Sequence, residues 1–177
     1  MHLYVVRHGS TSNNVNGLIN GRNDIDINEK GIKDAQGASL LLKDVTFDRV
    51  ISSPLLRAKH TADIIVNGKL PISYDERISE RDAGVFTNKK VTSINLDNWY
   101  SLDVNYTVGG AETFSEVVKR VNLFLEELKL KYPNETILIV THAGIMKALE
   151  VCTYGYPGID EIKNWRYLNG VVRNYIL

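Results

Sequence analysis

Apolar residues run unbroken through Leu3-Tyr4-Val5-Val6 and stop at Arg7-His8-Gly9. That pattern predicts a short buried strand over residues 2–7 whose exit carries polar side chains. Ser10 to Asp26 is rich in Asn and Gly and reads as a loop. From Asn28, a helix cap, the spacing turns helical, with Ile32, Ala35, Ser39 and Leu42 on one face. Arg49–Ser52 predicts a second strand, after which Ser53 is expected to cap a helix reaching about Val66, with Pro54 at its first position. Pro71–Tyr74 predicts a third strand. Thr113-Phe114-Ser115-Glu116 forms a capping box ahead of an apolar stripe (Phe114, Val117, Val118, Val121, Leu125, Leu128), so a long helix runs to about Tyr132. Thr136–Thr141 is a β-branched run of the kind buried mid-sheet, Gly144–Tyr154 predicts a helix and Val171–Ile176 a closing strand. Strands alternate with helices, which predicts an α/β fold with helices on both faces of the sheet. Residues 87–110 have no clean period and read as an inserted flap.

Composition narrows the class. A length of 177 residues fits one domain, residues 1–177, and 44% apolar with 24% charged residues is ordinary for a globule. Lys+Arg and Asp+Glu stand at 21 each, which excludes nucleic acid and an anionic membrane as expected partners. Attraction for an anion must then come from a local cluster of arginines. Cys152 is the only cysteine; it cannot form an internal disulfide and reads as a small apolar filler in a reducing compartment. The run Met1–Val6 is too short for a signal peptide, and no stretch is long enough to span a membrane. The expected location is the cytoplasm, and the Asn-x-Thr triplets at Asn105 and Asn134 are then accidental. The oligomeric state is left open.

The chemistry lies at the strand ends. In an open α/β sheet, ligands bind at the carboxyl ends of strands, where Arg7 and His8 end the first strand and His142 ends the strand at Thr136–Thr141. A helix N-terminus near Arg57 would favour an anion, although Arg57 also reads as a solvated helix arginine. Glu80 lies in Arg77-Ile78-Ser79-Glu80-Arg81-Asp82 and reads equally as a loop ion pair with Arg77 or Arg81; Asp82 is its rival for any acid role. Lys59, His60 and His2 are assigned nothing. Two histidines, two arginines and a glutamate are the side chains that phosphoryl transfer needs.

The segments Arg7-His8-Gly9-Ser10-Thr11, Gly21-Arg22-Asn23-Asp24, Glu29-Lys30-Gly31, Ser53-Pro54-Leu55-Leu56-Arg57-Ala58 with Thr61, Ser79-Glu80-Arg81-Asp82-Ala83-Gly84, Gly109-Gly110-Ala111-Glu112 and Val140-Thr141-His142-Ala143-Gly144 resemble those of the histidine phosphatase superfamily, nearly end to end. The resemblance implies a phosphoglycerate mutase-like three-layer α/β/α sandwich with a mostly parallel central sheet. It implies that His8 attacks phosphorus and holds the phosphoryl group covalently. Arg7, Arg57 and His142 would surround the phosphoryl oxygens, and Glu80 would serve as proton donor and then acceptor. Asn14, Asn20, Gly21 and Ala143 match phosphate-binding positions, and Gly9 would allow a tight turn beside the ligand. A small phosphoester is the implied partner, with no cofactor and no metal. Ser10 stands where Glu or Gln is commoner, Asp34 where Gln is usual, and Phe86-Thr87-Asn88 replaces an aromatic residue followed by Glu-Gly; these departures bear on substrate choice.

Two other readings compete with hydrolysis. A phosphoglycerate mutase shares the core but carries a larger insertion and a closing C-terminal segment, whereas this chain stops at Leu177 after its last strand, which favours water as acceptor. A non-catalytic phosphate-binding module would be expected to lack one of the catalytic set. Metal chemistry finds no support in ligand spacing, since no His-Glu-x-x-His is present. Lys89, Lys90, Trp99, Tyr100 and Tyr106 allow a flap that contacts a second anion or a ring, although residues of this type more often serve as packing and solvated charge.

Overall fold

In the computed structural model, which describes residues 1–103 and 109–177, the strands His2–Arg7 (β1), Arg49–Ser52 (β2), Ile72–Tyr74 (β3), Thr136–Thr141 (β4) and Val172–Ile176 (β5) form one sheet of order β3-β2-β4-β1-β5. β1, β2, β3 and β4 are parallel, and only β5 pairs antiparallel, along β1. The run Thr136–Thr141 sits in the centre, as its β-branched pattern predicts. The α-helices are Ser12–Val15 (α1), Glu29–Leu41 (α2), Leu56–Val66 (α3), Leu96–Trp99 (α4), Phe114–Lys131 (α5), Ala143–Tyr154 (α6) and Ile159–Ile162 (α7), with short 3-10 turns at Glu76–Ile78, Gly84–Phe86 and Val91–Ser93. Asn105 and Tyr106 lie outside the described residues. No helix among those described is long and apolar enough to cross a membrane.

The strand periodicity builds two cores. Val6, Val50, Leu138 and Val140 point to one face, where Ala38 and Leu42 meet Ala58, Ala62 and Val66 of α3. Leu3, Val5, Ile137 and Ile139 point to the other, covered by α5 and α6 through Phe114, Val121, Leu125, Ile145 and Leu149. Burial on both faces is why β1 and β4 read as unbroken apolar runs rather than alternating ones. Arg7 stands opposite Thr141 in the parallel register, so the two strands end level with each other. The chain then leaves β1 toward α2 on one face and leaves β4 into α6 on the other. Neighbouring strands whose next helices go to opposite faces leave a crevice at their carboxyl ends. His8 and His142 both sit at that crevice.

Several local expectations are corrected. The helix after β2 begins at Leu56 rather than at Pro54, with Leu55 as cap residue. Ser53 does not cap it, because the Ser53 hydroxyl bonds the Leu55 N–H and the ring of His142 instead, and Asp24 from the preceding loop takes the Leu56 N–H at 2.7 Å. The Ser10–Asp26 stretch holds the short α1, closed by a capping box in which Thr11 and Asn14 exchange hydrogen bonds. The buried face of α2 is Gly31, Ala35 and Ala38, with Leu42 beyond its end, rotated from the predicted Ile32–Ser39 line. Small residues there let the helix approach the exit of β1: a Cβ on Gly9 would lie 2.2 Å from the Gly31 carbonyl oxygen. Gly9 is thus required by the backbone of Gly31. The Thr113 capping box and the Asn28 cap form as predicted.

Within the flap, the backbone of residues 88–91 bonds to that of residues 17–19 through Ile19 N–H to Lys89 O, Asn88 N–H to Ile19 O and Val91 N–H to Gly17 O. Short helical turns follow at Val91–Ser93 and at α4. Trp99 meets Phe86 edge to face, and Tyr100 meets Phe114 in the same way at 5.4 Å.

Candidate active site

A cavity of about 170 Å³ opens at the crevice between β1 and β4. Of the residues singled out from the sequence, Arg7, His8, Asn14, Asn20, Gly21, Glu80 and Ala143 line it. Arg57 and His142 do not reach its wall; both are fully buried just behind it, and the His142 ring centroid lies 5.1 Å from that of His8.

His8 owes its orientation to the strand exit. Its amide donates to the Thr141 carbonyl at 2.9 Å, and its Nδ1 lies 2.7 Å from the Gly9 carbonyl oxygen. A carbonyl only accepts, so Nδ1 carries the proton and Nε2 keeps its lone pair. Burial first, then the guanidinium groups of Arg57 and Arg7, holds the imidazole well below its ordinary range, against the pull of the Gly9 bond. The ring is therefore neutral near pH 7, as a nucleophile must be.

His142 is held in a comparable state. Its Nε2 lies 2.7 Å from the Ser53 hydroxyl, which itself accepts the Leu55 N–H at 3.3 Å. Burial, then Arg57, His8 and Arg7, push its pKa well down, with a smaller push from Arg120. With Ser53 donating, the neutral ring carries its proton on Nδ1.

Two arginines supply the positive field. Arg57 donates from Nη1 to the Asn23 carbonyl and from Nη2 to the Gly21 carbonyl, each at 2.8 Å, which fixes the loop before α2 against α3. Burial lowers its pKa to about 10, an effect that Glu80 and Asp24 oppose and Arg7 reinforces. It remains charged at pH 7, so its reading as a solvated helix arginine is overturned. Arg7 donates from Nη1 to the Tyr167 carbonyl at 2.5 Å, and burial lowers its pKa against Glu80 and Asp34. Four buried side-chain atoms among the described residues lack a hydrogen-bond partner: His2 Nε2, at the start of β1, and Arg7 Nε, Arg57 Nε and His142 Nδ1. An orphaned buried donor costs about 1–3 kcal/mol, and the last three of these atoms belong to side chains about His8. A tetrahedral oxyanion on His8 is the kind of group that would use them.

Glu80 is tied to α6. Its carboxylate accepts the Arg81 amide at 2.9 Å and approaches the Gly144 amide at 3.5 Å. A Cβ on Gly144 would lie 2.5 Å from Glu80 Oε1, so only glycine leaves that carboxylate its place. The loop ion-pair reading fails. Arg77 pairs with Asp75 and Glu127, while Arg81 donates to the carbonyls of Glu112 and Trp99 and stacks 3.8 Å above the Trp99 ring. Asp82 is no rival either, because its carboxylate accepts the Gly84 amide in a turn and is absent from the cavity wall. Thr141 fixes the Glu80 segment by donating to the Ile78 carbonyl at 2.7 Å.

Other residues support the site from behind, and of these Asn169 had the least sequence signal. Thr61 accepts the Gly9 amide and donates to the Arg57 carbonyl, clasping β1 to α3. Asp34 accepts the Ser10 amide at 3.0 Å, which gives this departure from the usual Gln a structural role. Asn169 donates to the His8 carbonyl at 2.9 Å and to Asn14 Oδ1 at 3.2 Å; only the turn-forming pair Asn169-Gly170 marked its position. Asn20 is buried against the Thr11 hydroxyl. Lys89 and Lys90 are exposed and lie off the cavity, and Lys90 donates to the Asn16 carbonyl. Trp99 and Tyr100 do line the cavity. His60 stays at the surface beside Asp26, and Lys59 lies over the Tyr74 ring.

A profile of the histidine phosphatase superfamily (branch 1) matches residues 3–172. An uncharacterized phosphatase, PhoE, of Bacillus subtilis (strain 168) is 32% identical over 174 residues, covering 96% of this chain and 85% of that protein. A protein named probable phosphoglycerate mutase GpmB, of Escherichia coli O1:K1, is 30% identical over 168 residues, covering 91% and 78%. The crystal structure of the alpha-ribazole phosphatase of Shigella flexneri superposes with a TM-score of 0.84 at 29% identity, covering 98% of this chain and 89% of that one.

Proposed function

Since the chain belongs to the histidine phosphatase superfamily, we propose that it hydrolyses a small phosphomonoester through a phosphohistidine at His8. The observation that carries this reading is the neutral, buried His8, with Nδ1 tied to Gly9 and orphaned donors of Arg7, Arg57 and His142 about it.

His8 Nε2 attacks phosphorus in line, and the phosphorus–ester oxygen bond breaks with its electron pair on the leaving oxygen. Glu80 gives that oxygen a proton. Arg7, Arg57 and His142 bind the non-bridging oxygens, where charge builds in the transition state. Water then attacks the phosphohistidine and loses its proton to Glu80, and the phosphorus–nitrogen bond breaks with its electron pair returning to Nε2. Asn14, Asn20, Gly21 and Ala143 line the route by which the phosphate reaches His8. The arginines fill the role that a metal or cofactor would otherwise take. We infer a reducing compartment, the cytoplasm, from the lone Cys152.

The test is to quench turnover of a phosphomonoester rapidly without acid and locate the label. The expected result is an acid-labile, base-stable phosphoryl group on the His8 peptide. His8→Ala should lose both label and turnover, by about 10⁴-fold or more. Retained turnover in that variant would overturn the mechanism. Transfer of the phosphoryl group to a second phosphoglycerate faster than to water would make the activity a mutase.

A further inference from the structure

The cavity has two unlike ends. Arg7, His8 and Glu80 mark one, and the other is an apolar wall of Leu18, Ile19, Val91, Ile94, Trp99 and Tyr100. Resting on the phosphatase reading above, we propose that the ester taken here carries an uncharged, compact apolar or aromatic group of about one ring, and that an anion on that group is selected against.

Size and charge both lead there. An apolar cavity of about 150 Å³ accepts a benzene-sized guest, so a cavity of about 170 Å³ encloses a compact group best, and anything larger must project from its mouth into water. Among the described residues lining the cavity, the cations are Arg7 and Arg81. Arg7 flanks His8, where the phosphoryl group itself needs it. Arg81 is held by two carbonyls, and the Trp99 ring lies against its guanidinium. Lys89 and Lys90 lie off the wall, and Val104-Asn105-Tyr106-Thr107-Val108 contains no Lys or Arg. A carboxylate on the leaving group would thus be desolvated against a largely apolar wall that offers it no free cation, which is unfavourable. Arg22 stands outside the wall, within 3.8 Å of Glu112 and bonded to the Glu80 carbonyl, and is the exposed cation against which the proposal can be tested.

Benzyl phosphate and 4-carboxybenzyl phosphate form a matched pair, since their alcohols leave with similar ease and differ in one remote charge. The purified chain should favour benzyl phosphate in kcat/KM by about tenfold or more. Ile94→Lys, which adds a cation to the wall, should shrink or reverse that ratio, whereas Arg22→Ala should leave it unchanged. Equal hydrolysis of the two esters, or a carboxylate preference that Arg22→Ala removes, would overturn the proposal and leave the phosphatase reading standing. Failure to hydrolyse either ester or p-nitrophenyl phosphate would instead remove the phosphatase reading, and this proposal with it.

Discussion

The two ends of the cavity are built in opposite ways. At the β1–β4 end nearly every side chain is fixed by a partner that is itself fixed: Thr61 holds Gly9 to Arg57, Arg57 holds the Gly21 and Asn23 carbonyls, and Asn169 bridges His8 to Asn14. At the flap end the wall is made of apolar side chains, some of them half exposed, with backbone bonds to residues 17–19 as the anchor. Charge stabilisation needs donors preorganised to within a fraction of an ångström, so the first end admits little variation. An apolar wall needs only shape and dryness, and can change its residues without touching the chemistry. The difference separates what the enzyme does from what it does it to.

Arg57 is where that separation should break most sharply. Replacing it with Met removes a positive charge beside His8 and the donors to two loop carbonyls, so both activity and stability should fall. We expect kcat/KM to drop by about 10²–10³-fold and unfolding free energy by about 2–4 kcal/mol. Arg57→Lys keeps the charge but cannot serve both carbonyls with one ammonium group in the same planar geometry, and should recover only part of each. At the flap end, Val91→Ala removes methyl groups from a half-exposed side chain and should change stability by under about 0.5 kcal/mol. Denaturant titration and steady-state kinetics on the same samples would check both. Equal effects at the two positions would refute the contrast.

Gly144→Ala should separate chemistry from folding at one atom. The added Cβ would meet Glu80 Oε1, the free end of a flexible side chain, at 2.5 Å. The carboxylate can move aside cheaply, and alanine is the better helix former, so stability should hold or rise slightly. A displaced carboxylate, however, cannot deliver a proton to the leaving oxygen. Turnover of alkyl phosphates should fall by about 10–100-fold, while p-nitrophenyl phosphate, whose phenolate leaves without help, should be hydrolysed almost as before. Parallel loss on both ester types would mean that Glu80 is not the acid.

How much of this was legible in the sequence follows the same division. The strands, the Asn28 and Thr113 caps, and the line of Arg7, His8 and His142 at strand exits could be read because local rules fix them: apolar period, capping chemistry, and the rule that sites lie at carboxyl ends. Ser53 misled because a serine before a proline and a helix is an ordinary cap, and nothing local reveals that His142, far along the chain, uses its hydroxyl. Arg57 could be read as solvated for the same reason; its burial depends on carbonyls of a loop three dozen residues earlier. Asn169 and Tyr167 act through backbone groups distant in sequence, which leave no spacing signal. The flap wall was invisible as a wall because its residues come from two separate segments with no common period.

Lys147 joins the two ends, and its effect should appear in how stability depends on pH rather than in turnover. It lies on α6 one turn beyond Gly144, is buried, donates from Nζ to the Ile162 carbonyl at 2.7 Å and sits 3.9 Å over the ring of Tyr100 in the flap wall. Burial, reinforced by Arg166 and opposed by Glu80, lowers its pKa to about 7, far below its ordinary 10.5. The sign follows from proton counting. Between these two pH values the unfolded chain binds the proton and the folded chain does not, so folding stability gains from this group as pH rises from about 7 toward 10. The slope it contributes is at most about 1.4 kcal/mol per pH unit. Below pH 7 both states are protonated, and the folded chain carries the full burden of a buried ammonium, relieved in part by the Tyr100 ring. Lys147→Met keeps the length of the side chain and removes the titration. Its stability should therefore exceed that of the parent below pH 7, and the gap should close as pH climbs. Unfolding curves for the two proteins across pH 6 to 10 measure that difference directly, because every other titrating group is common to both. A gap that is flat with pH would show that Lys147 keeps an ordinary pKa, and that the flap is held to α6 by packing alone.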